Sequence, residues 1–143
     1  MSKLENRRYH IIVDAYNCDA QVLNDRKNLE TVLRDLVKLC QMDILYGPVI
    51  MEGVPQNPGL TGFAVLDFSH ISIHTFTKEN EICIDVFSCK KYDYEKVRQY
   101  VIDKFNLDEK YVKYVEVKYP EKSDYNLEGT FTPNKSKPFF KTA

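Results

Sequence analysis

Residues 63–89 read FAVLDFSHISIHTFTKENEICIDVFSC, and this run decides the fold. It contains three strand-like segments: FAVLDF (63–68), HISIHTF (70–76) and EICIDVFSC (81–89). Each is rich in β-branched and aromatic residues, which fit a pleated, half-buried surface. TKEN (77–80) is the turn between the last two. No helical pattern separates the three, so they predict antiparallel neighbours rather than βαβ crossovers. A tight turn at 77–80 sets Ser88 opposite Ser69 and makes Cys89 a neighbour of Ser69 along the sheet. His74 is harder to place. Sides alternate along a strand, so Ser69 and His74 fall on opposite faces, about 16 Å apart at ~3.3 Å per residue. If Ser69, His74 and Cys89 work together, the chain must bend sharply near Ser69.

The flanks complete the pattern. RYHIIVDAY (8–16) reads as a strand and NDRKNLETVLRDLVKLCQMD (24–43) as a helix. In the helix Leu29, Val32, Leu33, Leu36, Val37 and Cys40 form one apolar stripe, with Asn24 or Asp25 as its N-cap. ILYGPVIME (44–52) reads as an interrupted strand and GVPQNPGLTG (53–62) as a loop. YDYEKVRQYVIDKFN (92–106) is a second helix, capped by Asp93, whose stripe is Val97, Tyr100, Val101 and Phe105. KYVKYVEVKY (110–119) alternates like a half-buried strand. The sum predicts an α+β two-layer sandwich: an antiparallel sheet with two helices packed on one face. The other face is then left to solvent or to a partner. Residues 1–119 make the domain, and 120–143, polar and poor in aliphatics, a C-terminal tail.

Bulk composition narrows the function classes. At 143 residues the chain can bury a core without staples. A net charge of -1 argues against a broad nucleic-acid surface. No apolar run approaches the ~20 residues of a membrane span, and MSKLENRRYH lacks the apolar segment of a secretory signal. Cys18, Cys40, Cys83 and Cys89 form no CxxC pair, which predicts a reduced, cytoplasmic setting and no metal site.

The stretch 63–89 resembles the core of the small S-adenosylmethionine decarboxylases of bacteria and archaea. In that family a histidine follows a serine by five positions and a cysteine follows it by twenty. Ser69, His74 and Cys89 stand at those offsets, within SHISIHT and DVFSC. Thr61-Gly62 matches a hydroxyl–glycine pair eight positions before the serine, and HIIVDAYNCD resembles the family's opening strand. The resemblance covers most of residues 8–119.

It implies a proenzyme that makes its own cofactor. Ser69 would attack the carbonyl of Phe68, and cleavage between Phe68 and Ser69 would leave a pyruvoyl group derived from Ser69. His74 and Thr61 would assist that self-processing as polar helpers. The substrate amine would form a Schiff base with the ketone, and Cys89 would return a proton after CO₂ leaves. Phe76 and Lys78 fall where the family contacts the nucleoside. The product would feed polyamine (spermidine) synthesis, and the family implies a homodimer acting on a small molecule. Each residue also has an ordinary reading: Cys89 as a small apolar filler, His74 as a core histidine, Thr61 as a loop hydroxyl. No role is derived for His70.

Three positions depart from the family pattern. Phe68 replaces a glutamate, Lys78 replaces the glutamate that holds the ribose, and Pro55 replaces a phenylalanine set against adenine. A charge reversal ~8 Å from a sulfonium shifts the interaction by about 2 kcal/mol per charge at a dielectric near 20. These departures keep two alternatives open: the same chemistry on arginine or ornithine, and a non-processing homologue with a regulatory or binding role.

Overall fold

The computed structural model describes residues 8–119 and 140–142. The elements in chain order are β1 (Tyr9–Ala15), α1 (Ala20–Leu23), α2 (Arg26–Leu39), β2 (Ile44–Glu52), β3 (Leu60–Leu66), β4 (Ser69–Phe76), β5 (Glu81–Ser88), α3 (Tyr94–Lys104), β6 (Val112–Val117) and β7 (Phe140–Thr142). A single 3₁₀ turn, Glu109–Tyr111, precedes β6. The strands form one sheet in the order β2-β3-β4-β5-β1-β6-β7. Every neighbouring pair is antiparallel. The α+β two-layer expectation therefore holds.

Alternation explains which face is covered. In β4, Ser69, Ile71, Ile73 and Thr75 are buried while His70, Ser72, His74 and Phe76 are half-buried. The buried set joins Ile11, Val13, Ile82, Ile84 and Val86 beneath the helices. From α2, Leu29, Val32, Leu33, Leu36 and Val37 enter that core, and from α3 and its C-cap, Val97, Val101 and Phe105. Each such side chain contributes roughly 1.5–3 kcal/mol. The Tyr100 hydroxyl donates to the Asp35 carboxylate and ties α3 to α2. The other face, called the open face below, carries no helix.

Several boundaries differ from the sequence reading. The helix expected over 24–43 runs from Arg26 to Leu39, and the short helix α1, which the sequence reading did not expect, precedes it. The Asp25 carboxylate accepts the Asn28 N–H at 3.0 Å and starts α2 afresh, while Asn24 closes α1. Asp93 caps α3 as expected, accepting from the Lys96 N–H at 3.1 Å. The strand expected over 63–68 runs from Leu60 to Leu66, so the loop is shorter. The Thr75 hydroxyl, buried, accepts the Leu60 N–H at 2.8 Å and extends the ladder back to Leu60. Asp67 and Phe68 are a two-residue turn, not strand. β2 is interrupted as expected, with register shifts between Ile44 and Tyr46 and between Tyr46 and Val49. Of the expected tail, 120–139 and 143 lie outside the described residues, while Phe140–Thr142 pairs with β6.

Candidate active site

The hairpin of β4 and β5 places the first predicted group. Ser69 pairs with Ser88, as the turn arithmetic requires. The Ser69 side chain points toward the helix layer and is only 8% exposed. Its hydroxyl donates to the Ser88 Oγ at 3.3 Å. Ser88, fully buried, is itself held by Lys90: its hydroxyl donates to the Lys90 carbonyl at 2.6 Å and its oxygen accepts the Lys90 N–H at 2.8 Å. Cys89 follows directly, free and exposed. The apolar-filler reading of Cys89 is therefore wrong, whereas it fits Cys18 and Cys40, which are buried. Burial pushes the Cys40 thiol up to about 12. It is also the main cause of the rise at Cys18, to about 11, with Glu81 and Asp14 adding to it.

Thr61 and His74 form a second group. They are register partners across β3 and β4, with Thr61 Oγ1 and His74 Nδ1 3.1 Å apart. Phe76 stacks on His74, ring centroids 6.5 Å apart. This group lies on the open face, toward the far end of β4 from Ser69. The β4 ladder runs from Ser69 to Phe76 without a register shift, so no bend brings Ser69 and His74 together. The bend lies one step earlier, at Asp67-Phe68. Lys78 is exposed in the turn after β4, where water screens its charge.

The sequence reading missed a row of side chains on the open face. His70 is sandwiched between Phe63 and Phe87, with centroids at 5.7 and 5.0 Å and near-parallel planes. The Asp85 carboxylate bonds His10 Nε2 at 2.8 Å, and its other oxygen lies 3.9 Å from His70 Nε2. His10 Nδ1 bonds the Tyr119 hydroxyl at 2.9 Å. That second Asp85 oxygen is buried without a hydrogen bond. The signal was present: strand alternation puts His70, Asp85 and Phe87 on one side. Placing His10 among them needs the pairing of β1 with β5, which no local pattern shows.

The comparisons decide the family. Residues 9–118 match the family model described as S-adenosylmethionine decarboxylase. The chain belongs to the S-adenosylmethionine decarboxylase family. Among similar proteins is the S-adenosylmethionine decarboxylase proenzyme of Pyrobaculum arsenaticum, 32% identical over 82% of this chain and 89% of that protein. The proenzyme of Pyrococcus furiosus is 28% identical over 87% and 84% respectively. The crystal structure of the adenosylmethionine decarboxylase from Aquifex aeolicus superimposes with a TM-score of 0.61 at 26% identity, covering 75% of this chain and 85% of that one. These relatives are carboxy-lyases by name. Against that family background, Ser69 at the start of β4 and an exposed Cys89 next to its strand partner Ser88 occupy one end of the sheet. Among the described residues no three His, Cys, Asp or Glu side chains are grouped to hold a metal ion. Nor is any helix there long and apolar enough to cross a membrane.

Proposed function

We propose that the chain is a pyruvoyl-dependent decarboxylase of S-adenosylmethionine that cleaves itself between Phe68 and Ser69. One observation carries this reading: in a member of this family, Ser69 opens β4 directly after a two-residue turn, with its hydroxyl held and Cys89 beside its strand partner. The hydroxyl attacks the Phe68 carbonyl. The Phe68–Ser69 C–N bond breaks, an ester C–O bond forms, and the hydroxyl proton passes to the freed nitrogen. Loss of the Ser69 α-proton then expels the Phe68 carboxylate. The resulting enamine tautomerises to an imine, and water hydrolyses it with release of ammonia.

The residues present fit such a group. Ser69 is nearly buried, so a ketone formed there is shielded from bulk water. A pyruvoyl ketone supplies an electrophile and electron sink for decarboxylating an α-amino acid. Cys89 is assigned the return of a proton to the carbon that has lost CO₂; a positioned acid of this kind is worth about 10²–10⁴-fold. The product would serve polyamine (spermidine) synthesis, in the cytoplasm. Phe76 and Lys78 remain assigned to substrate contact and, lying beyond His74 from Ser69, would make it with a substrate held by a second copy of the chain. Thr61 and His74 remain assigned to processing, yet they lie too far from Ser69 to act within one uncleaved chain. We assign the open face, with exposed Met51 and Phe63, to a second copy of the chain. The Thr61–His74 pair sits on that surface.

Intact-mass measurement of purified protein tests the reading. The expected result is two fragments, 1–68 and 69–143, the second lacking ammonia and blocked at its N-terminus. A single full-length species after long incubation overturns it. CO₂ release from S-adenosylmethionine, set against arginine and ornithine, then decides the substrate.

A further inference from the structure

The residue before Ser69 has an unusual backbone. Among the described residues, five other than glycine have positive φ: Asn17, Gln41, Phe68, Asn80 and Asn106. Three are asparagine, which tolerates the left-handed region because its short side chain bonds locally. Gln41 closes α2, where a left-handed residue is routine. Phe68, at φ 57, has neither excuse. A bulky residue there is an outlier, and such outliers collect at functional sites. The turn that holds it joins Leu66 to Ser69, register partners in β3 and β4. Asp-Gly or Asn-Gly is what a two-residue hairpin turn favours, and this one is Asp67-Phe68.

Nothing else accounts for the phenylalanine. Its side chain is 79% exposed, so it adds little to the core. What it contributes is the cost of its own backbone. For an L-residue the left-handed conformation corresponds to about 5- to 30-fold in an equilibrium.

We propose that Phe68 is a positioning residue that destabilises the intact turn and so selects the Phe68–Ser69 bond for opening. This rests on the self-cleavage reading above. In the acyl shift the amide C–N bond of Phe68 is exchanged for an ester to Ser69 Oγ. The path from the Phe68 carbonyl carbon to Ser69 Cα then runs through Oγ and Cβ instead of N, one atom longer, so the closed two-residue turn is no longer imposed. Phe68 then leaves the left-handed region. The shift from amide to ester is drawn forward by the strain released. The residue that departs from the family's glutamate thus acts through its backbone rather than through a side-chain acid.

The test is a rate series for cleavage, followed by intact mass on freshly purified full-length chain. Phe68→Gly and Phe68→Asn remove the left-handed cost and should slow cleavage, glycine by up to about 5- to 30-fold and asparagine by less. Phe68→Leu keeps the cost without the ring and should cleave at the parental rate. A second readout uses Ser69→Ala, which cannot cleave: adding Phe68→Asn should raise its melting temperature, and adding Phe68→Leu should not. Equal rates across the series, with the parent cleaving, overturn this inference and leave the proposed function standing. No rise in melting temperature likewise overturns it. A parent that never cleaves overturns the proposed function and this inference with it.

Discussion

Gly59 offers the sharpest test of how the sheet positions Thr61. It sits at φ 149, a region that L side chains rarely adopt, one residue before β3. A Cβ built there lies 1.8 Å from the Thr75 carbonyl oxygen and 2.8 Å from its carbon. Real Cβ atoms essentially never approach closer than 3.0 Å, so the backbone must move by roughly 1 Å. The movement strikes three bonds at once: Gly53 N–H to the Gly59 carbonyl at 2.8 Å, Leu60 N–H to the Thr75 hydroxyl at 2.8 Å, and Thr77 N–H to the Pro58 carbonyl at 3.1 Å. Backbone strain of about 1–3 kcal/mol adds to about 1 kcal/mol for the one bond of the three made between buried residues, Leu60 N–H to the Thr75 hydroxyl. Gly59→Ala should therefore cost about 2–4 kcal/mol. The measurement is urea unfolding in a Ser69→Ala background, where cleavage cannot confuse the two-state fit. The midpoint should fall with little change in slope. A loss under about 0.5 kcal/mol, the range of surface substitutions, would refute the close approach and with it the ladder that sets Thr61 opposite His74.

Three further outcomes are expected. Cys89→Ala should leave self-cleavage intact while lowering decarboxylation by about 10²–10⁴-fold, read as fragment yield against CO₂ release; parallel loss of both would contradict a proton-donor role. In the native protein at pH 7.5, a thiol reagent should label one cysteine quickly, Cys89, because thiolate is the reactive form and burial raises Cys18, Cys40 and Cys83; fast labelling of Cys40 in folded protein would be incompatible with the core described. Lys78→Glu should lower KM for S-adenosylmethionine more than it changes kcat, by about 2- to 10-fold given the solvent around this turn, and an unchanged KM removes Lys78 from the substrate contacts.

What the sequence disclosed follows from how local each signal is. The stripe of α2 and the alternation of β4 and β5 repeat within a few residues, so helix, hairpin and the Ser69–Ser88 pairing could all be read directly. The break between α1 and α2 turns on Asn24 and Asp25, either of which can cap, and only packing chooses. The insertion of β1 between β5 and β6 joins residues 67 to 79 positions apart in the β1–β5 ladder. For that reason the place of His10 beside Asp85 and His70 was invisible. The turn at Asp67-Phe68 is a different kind of failure. Here the local rules pointed the wrong way, because phenylalanine is a strand former and not a left-handed turn residue. Sequences that fold well keep local preference and global structure in agreement, and they break that agreement mainly at sites of function. Across residues 60–89 such a conflict falls on one position, and the bond that follows it is the one the family resemblance marks for cleavage. Local conflict and family chemistry are independent observations. Their meeting at the Phe68–Ser69 bond is why Phe68 is better understood as part of the site than as damage to it.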